Sequence, residues 1–264
     1  MDKRNLIAAL DIGGTKILAG LIDARSGKLL ARRRIETQAE CGAEDIVARS
    51  AAVLRELAQE VDIAVEELTG LGCSIPGPLD RERGVVLFSP HLNWRAVPLV
   101  EMFQRHLGIP IVIEDDARCA ALGEASMGAA RGAETALYVT VSTGIGAGVI
   151  IGGKIYRGAH GFAGEVGHMT IEAAGPPCAC GNFGCFEALA SGSAIALRAR
   201  QAVLHGDKTV LAERSAGRPS SLKAEHVVQA AEAGDLVATR IIETAGMYLG
   251  IGLAAMASAY DPEV

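Results

Sequence analysis

Apolar residues along the first third of the chain recur at two distinct spacings. "LIAALDI" at 6–12 and the "ILAGLI" that follows are short apolar runs split by Gly13-Gly14, which predicts two strands joined by a glycine hairpin. "KLLARRRIE", after the turn "DARSG", is a third strand. Ile46, Val47, Val53, Leu54 and Leu57 then fall at helical spacing through "AEDIVARSAAVLRELAQEV". "LTGLGCSI" is a strand stopped by "PGP", "IPIVIED" is a buried strand, and "ARCAALGEASMG" is a helix directly after it. Further along, "ALYVTV", "STGIGAG", "VII", "GG" and "KIY" repeat the order strand, glycine turn, strand around residue 143.

This echo predicts an α/β chain of two lobes, residues 1–116 and 117–264, with the glycine turns on facing walls of a cleft. "AGMYLGIGLAAMASAY" falls short of the ~20 apolar residues that span a bilayer. It reads as a buried helix in which Gly246 and Gly250 allow close packing, and no membrane partner is expected.

Composition changes this picture little. Half of the 264 residues are hydrophobic and only 4% aromatic, so the core must be mostly aliphatic. The 32 glycines exceed the ordinary share and belong in turns and close approaches. A net charge of −6, with no basic run longer than Arg32–Arg34, argues against nucleic acid as a partner; arginines among apolar residues suit the solvated face of a strand. The apolar run "LIAAL" is too short for a signal peptide, so a cytoplasmic, reducing compartment is expected.

Neither glycine turn has the spacing of a Walker loop or a dinucleotide fingerprint. Each is readable as a plain hairpin. Yet each carries hydroxyls, Thr15 in the first and Ser142 and Thr143 in the second, and Asp11 and Lys16 bracket the first. Backbone N–H groups in such turns can form an anion nest, with Asp11 orienting Mg²⁺ or its water and Lys16 offsetting phosphate charge.

Three of the six cysteines crowd into "CACGNFGC" at 178–185. The spacing is not C-x-x-C, and a C-x-C disulfide is awkward and would leave one thiol over. Cys178, Cys180 and Cys185 lack one ligand for tetrahedral zinc, and His168 can complete a closed, structural site. Cys41, Cys73 and Cys119 read as small buried hydrophobes.

"DIGGTK", "IPGP", "STGIGAG", "GFAGEVGH" and "CACGNFGCFE" occur in the order seen in the ROK family, and from about residue 6 onward the chain resembles it. That family comprises sugar kinases and sugar-responsive repressors of the two-lobed actin-like ATPase (ribonuclease H-like) fold. The resemblance implies ATP phosphates held by Asp11, Gly13, Gly14, Thr15 and Lys16 on one side and Thr143, Gly144 and Gly146 on the other. It makes Asp116, in "VIEDDARCAALGE", the general base toward a hexose hydroxyl. Without the family, Glu114, Asp115 and Asp116 have an ordinary explanation as acids capping a helix.

Asn93 in "SPHLNW", Asp115, Glu165, His168 and Glu187 are the implied sugar contacts, and His168 would serve zinc with one ring nitrogen and sugar with the other. Asp115 stands where the family usually has asparagine; this second carboxylate is expected to raise the Asp116 pKa or rearrange the sugar contact. "GHMTIE" and "GCFEALASG" look most like the glucokinase branch, which implies a glucose kinase using ATP, Mg²⁺ and structural Zn²⁺. An N-acetylhexosamine kinase or a sugar-sensing regulator is the alternative. A homodimer or tetramer is in keeping with the family. Family members run on beyond "SAYDPEV" into an adenosine-binding segment, so the resemblance also implies a chain that ends before it.

Overall fold

The computed structural model describes residues 5–264. The chain divides into two compact units, one formed by the chain through Gly123 together with Gly158–Phe162, the other by Glu124–Arg157 and Ala163–Val264.

The first unit is built on a five-stranded mixed sheet. Strands β1 (Leu6–Ile12), β2 (Lys16–Asp23) and β3 (Leu29–Glu36) form an antiparallel meander. β4 (Gly70–Ile75) and then β8 (Ile111–Asp115) add in parallel on the other side of β1, giving the order β3-β2-β1-β4-β8. Leu6, Ala8, Leu10 and Ile12 alternate into the core as the period-two pattern requires. Helix α1 (Gly42–Glu60) crosses from β3 to β4 and buries Ile46, Val47, Val53, Leu54 and Leu57. Each such aliphatic side chain contributes about 1.5–3 kcal/mol by leaving water. Arg33 on β3 pairs with Glu56 and Glu60 of α1, while Arg32 and Arg34 face solvent.

A small antiparallel sheet, β5 (Leu79–Asp80), β6 (Val85–Ser89) and β7 (Trp94–Val97), and helix α2 (Leu99–Leu107) fill the chain between β4 and β8. Helix α3 (Asp116–Met127) leaves the end of β8 without a connecting loop.

The second unit opens with the hairpin β9 (Thr135–Val141) and β10 (Ile145–Ile151), extended by β11 (Lys154–Ile155). Five helices follow: α4 (Phe186–Ala190), α5 (Gly192–His205), α6 (Leu211–Arg214), α7 (Ala224–Glu232) and α8 (Leu236–Tyr260). The final residues run beside β9, with Glu263 N–H donating to Thr135 O and Leu137 N–H to Val264 O, both at 2.9 Å.

Three sequence expectations need correction. The second glycine turn is shorter than "STGIGAG": β10 begins at Ile145, and Gly146 and Gly148 are strand residues opposite Thr140 and Tyr138. Helix α8 runs for 25 residues and is long and apolar enough to cross a membrane by length and composition, yet only 22% of its most apolar window is buried. One stripe, Ala238, Ile241, Ala245, Gly252 and Met256, packs inward, while Met247, Ile251 and Leu253 are exposed. Nor do Gly246 and Gly250 mark a close helix contact, since a Cβ on either would meet nothing within 4 Å. Gly252 marks it instead, its would-be Cβ lying 2.5 Å from the Phe186 ring. Of the isolated cysteines, Cys73 is buried and Cys119 partly so, but Cys41 is exposed at the start of α1.

Candidate active site and metal centre

In the first unit, β1 ends at Ile12 and the chain reverses over Gly13–Thr15, where Gly13 N–H donates to Lys16 O at 3.0 Å. Thr37, wholly buried beyond the end of β3, locks the turn: its hydroxyl donates to Gly13 O at 2.6 Å and its N–H to Thr15 O at 3.1 Å. Thr15 and Lys16 are exposed. The short helical turn before β7 brings His91 against Gly14, so closely that a Cβ on Gly14 would lie 2.8 Å from His91 Cβ. Asn93, two residues on, is exposed with a left-handed backbone (φ 55°). Asp11, near the end of β1, sits opposite Ser74 of β4 and accepts the Ser74 hydroxyl on Oδ1 at 3.0 Å.

The three acids at the β8–α3 junction do three different things. Glu114 is buried and pairs with Arg81 (3.2 Å) and Arg118 (3.6 Å). Arg118 also donates to Gly161 O at 2.6 Å, tying Gly158–Phe162 to this unit. Asp115 caps α3, its Oδ1 accepting the N–H groups of Ala117 (3.1 Å) and Arg118 (3.2 Å). Asp116 is the first residue of α3 and keeps an accessible face.

Enough protein surrounds the Asp116 carboxyl to raise its pKa above the ordinary 3.8, loss of hydration being the main cause. The Ala117 N–H on its Oδ1 (2.8 Å) works against this, and the charge of Asp11 adds to the rise. The direction matches the expectation from sequence, but the cause does not: Asp11 is the neighbouring charge that raises this pKa, and the Asp115 side chain acts in the opposite sense.

In the second unit, the turn Ser142–Gly144 closes with Ser142 N–H donating to Gly144 O at 2.9 Å. Two amides at the start of α5 hold it from one flank, Gly192 N–H on Ser142 O (2.8 Å) and Ser193 N–H on Thr143 O (3.1 Å). Glu187, in the first turn of α4, accepts Ile145 N–H on Oε2 at 2.9 Å. Glu165 is exposed and precedes the short turn Val166–His168, its carbonyl accepting His168 N–H at 3.1 Å.

The cysteine loop folds back on the segment that carries His168. Phe186 N–H donates to Met169 O, Ile171 N–H to Gly184 O and Cys178 N–H to Asn182 O, at 2.8–2.9 Å. Ligand atoms of His168, Cys178, Cys180 and Cys185 come within 4.8 Å of one another. The Cys180 and Cys185 sulfurs are 3.7 Å apart, and Cys178 Sγ lies 3.7 Å from His168 Nδ1. Thiolates at 2.3 Å from a tetrahedral ion stand ~3.8 Å apart, so the donor set fits zinc in chemistry and spacing. Burial pushes the Cys185 thiol up to about 12, whereas the Asn182 N–H holds the Cys180 thiol below its usual value.

The first unit thus gathers Asp11, Gly13–Thr15, the Asn93 loop and Asp116. The second gathers Ser142–Gly144, Glu187, His168 and the three cysteines, with Lys16 and Gly146 on strands beside their respective turns. Thr37, Ser74, Gly192 and Ser193 were not anticipated. Ser74 had a signal, a lone hydroxyl at the end of an apolar strand; Thr37 had none.

The chain matches the ROK family over residues 7–264. It is 35% identical to a glucokinase of Thermotoga maritima over 268 residues, covering 100% of this chain and 81% of that protein. It is 37% identical to the xylose repressor of Bacillus subtilis over 196 residues, 74% of this chain and 47% of the repressor. A ROK family glucokinase of Streptomyces griseus, solved in complex with glucose and AMPPNP, superposes with a TM-score of 0.77 at 34% identity, covering 97% of this chain and 80% of that one. With its glycine turns, junction acids and cysteine loop in one chain, this protein belongs to the ROK family and has the actin-like ATPase fold.

Proposed function

We propose that the chain is an ATP-dependent hexose kinase of the cytoplasm that phosphorylates glucose at O6, with Asp116 as general base. The observation that carries this reading is Asp116 itself, an accessible carboxylate at the start of α3 with its pKa raised by desolvation and by Asp11. A base stronger than a free aspartate suits removal of a hydroxyl proton.

The sugar hydroxyl gives its proton to Asp116 as its oxygen bonds to the terminal phosphorus of ATP, and the bond from that phosphorus to the ADP oxygen breaks. Asp11, with the Ser74 hydroxyl beside it, is the oxygen pair suited to Mg²⁺ or its water, which neutralises phosphate charge when bound. Gly13, Gly14, Thr15 and Lys16, and Thr143, Gly144 and Gly146, would cradle the phosphates. Asn93, Glu165, His168 and Glu187 would position the sugar, and Asp115 enters through the cap that sets the first turn of α3. Since His168 Nδ1 faces the Cys178 sulfur, Nε2 is the nitrogen offered to a sugar hydroxyl. His168, Cys178, Cys180 and Cys185 would hold a structural Zn²⁺, and a homodimer or tetramer is the expected assembly.

The test is sugar-dependent ADP production. Asp116→Ala should lower turnover by ~10²–10⁴-fold. No turnover by the unmodified chain with any aldohexose or N-acetylhexosamine refutes the kinase reading. The likeness to a xylose repressor favours one second reading, sugar sensing without catalysis, for which the unmodified chain binds sugar while its ADP production stays at background and Asp116→Ala changes nothing.

A further inference from the structure

We infer that Glu187 is a positioning residue for the second glycine turn, so that the metal loop shapes the nucleotide-phosphate site and not the sugar site alone. This deepens the kinase reading and rests on it.

Glu187 follows the metal-ligand candidate Cys185 by two residues, and its carboxylate reaches a different element altogether. Oε2 accepts the N–H of Ile145 at 2.9 Å. It lies so close beneath the turn that a Cβ on Gly144 would stand 2.2 Å from it, and the carboxylate would have to move away. The segment carrying His168 presses on the same residue from the other side: a Cβ on Gly167 would stand 2.2 Å from Ile145 O and 3.4 Å from Glu187 Cβ. The Ile145 side chain shares a core cluster with Phe186, the residue between Cys185 and Glu187. Ile145 is therefore bonded through its amide, and packed against at its carbonyl and side chain, by the two segments that supply all four sulfur and imidazole ligands.

The opposite flank of the turn is held as well, by the α5 amides on Ser142 O and Thr143 O. Drawing those carbonyls toward α5 and the Ile145 amide toward Glu187 leaves the Thr143 and Gly144 N–H groups outside all of these bonds. Backbone N–H groups held in a turn in this way can serve an anion nest. Glu187 thus acts on phosphate indirectly, by fixing the turn.

Calorimetric titration with AMPPNP plus Mg²⁺, and separately with glucose, tests this, with zinc content measured on each variant. Glu187→Ala should weaken AMPPNP binding about tenfold, as expected for losing a charge-assisted hydrogen bond. Glu187→Gln, which keeps an acceptor oxygen at the same place, should restore most of it. Glu187→Asp, whose shorter side chain draws the carboxylate back from Ile145 while keeping its charge, should reproduce the loss, which keeps the test decisive should Glu187→Ala fold poorly. Unchanged AMPPNP affinity in both Glu187→Ala and Glu187→Asp, with zinc retained, overturns the inference while leaving the kinase reading standing. Failure of the unmodified chain to bind AMPPNP removes both.

Discussion

Asp116 is reached by water on one side and surrounded by protein on the others, and this double character has consequences for activity and for stability. Its ionised form is the proposed base, so kcat/KM should fall as pH drops through the raised pKa, at a higher pH than the 3.8 of an ordinary aspartate would give. A pH–rate profile with its acid limb at or below 3.8 would contradict this. In the folded chain the proton is held more tightly than in the unfolded one, so stability is greatest below 3.8, declines as pH rises through the folded value and stays reduced at pH 7. Asp116→Asn should therefore raise the melting temperature slightly at neutral pH, the effect being screened where the carboxyl meets solvent, while lowering turnover by ~10²–10⁴-fold. Asp115 beside it obeys a different logic. Because Oδ1 accepts two amides of α3, Asp115→Ala should cost about 1 kcal/mol in urea denaturation, and Asp115→Asn, an equally good cap, very little.

At the scale of elements, the pattern of the chain revealed β1 to β4, α1, β8 and the β9–β10 hairpin, because each carries an unbroken period and a glycine or proline stop. Strands β5 to β7 were not legible: the first has two residues, and their apolar positions alternate too briefly to register. The candidate metal site was readable because His168 and the three cysteines lie within eighteen positions of one another. The bond from Glu187 to Ile145 was not, since it joins residues 42 positions apart through a backbone amide that has no sequence signature. Helix α8 misled for a related reason: its apolar residues announce a helix but not which stripe is covered. Its glycines give the check. Gly252→Ala should destabilise the second unit, because Phe186 occupies the space, whereas Gly246→Ala and Gly250→Ala, with open space around them, should stabilise it by up to about 1 kcal/mol through helix propensity. Thermal melts of the three variants separate these outcomes.

The whole molecule consists of two units with their own cores, an aliphatic one around β1, β4, α1 and α2 and smaller clusters around Ile145, Phe186 and Met256 and among α5, α7 and α8. Only the second unit contains the proposed zinc ligands. Stripping the metal with a chelator should therefore speed hydrogen exchange at Ile145 and across 166–190, while the amides of β1, β4 and β8 keep their protection. Equal loss of protection in both units would show the metal to be a global staple instead.

The order β1-β4-β8 also acts as a ruler. Asp11 lies across from Ser74, and Ser74 across from Glu114, so the backbone positions of Asp11 and Glu114 stand two strand spacings apart, about 10 Å along the hydrogen-bonding direction. Length variation in the connection between α1 and β4 leaves that interval untouched. One residue gained or lost inside Gly70–Ile75 would turn Ser74 to the opposite face and break the spacing. The connections around this sheet can thus change length without moving Asp11, whereas an extra residue in β4 ahead of Ser74 would carry the Ser74 hydroxyl off the Asp11 carboxylate.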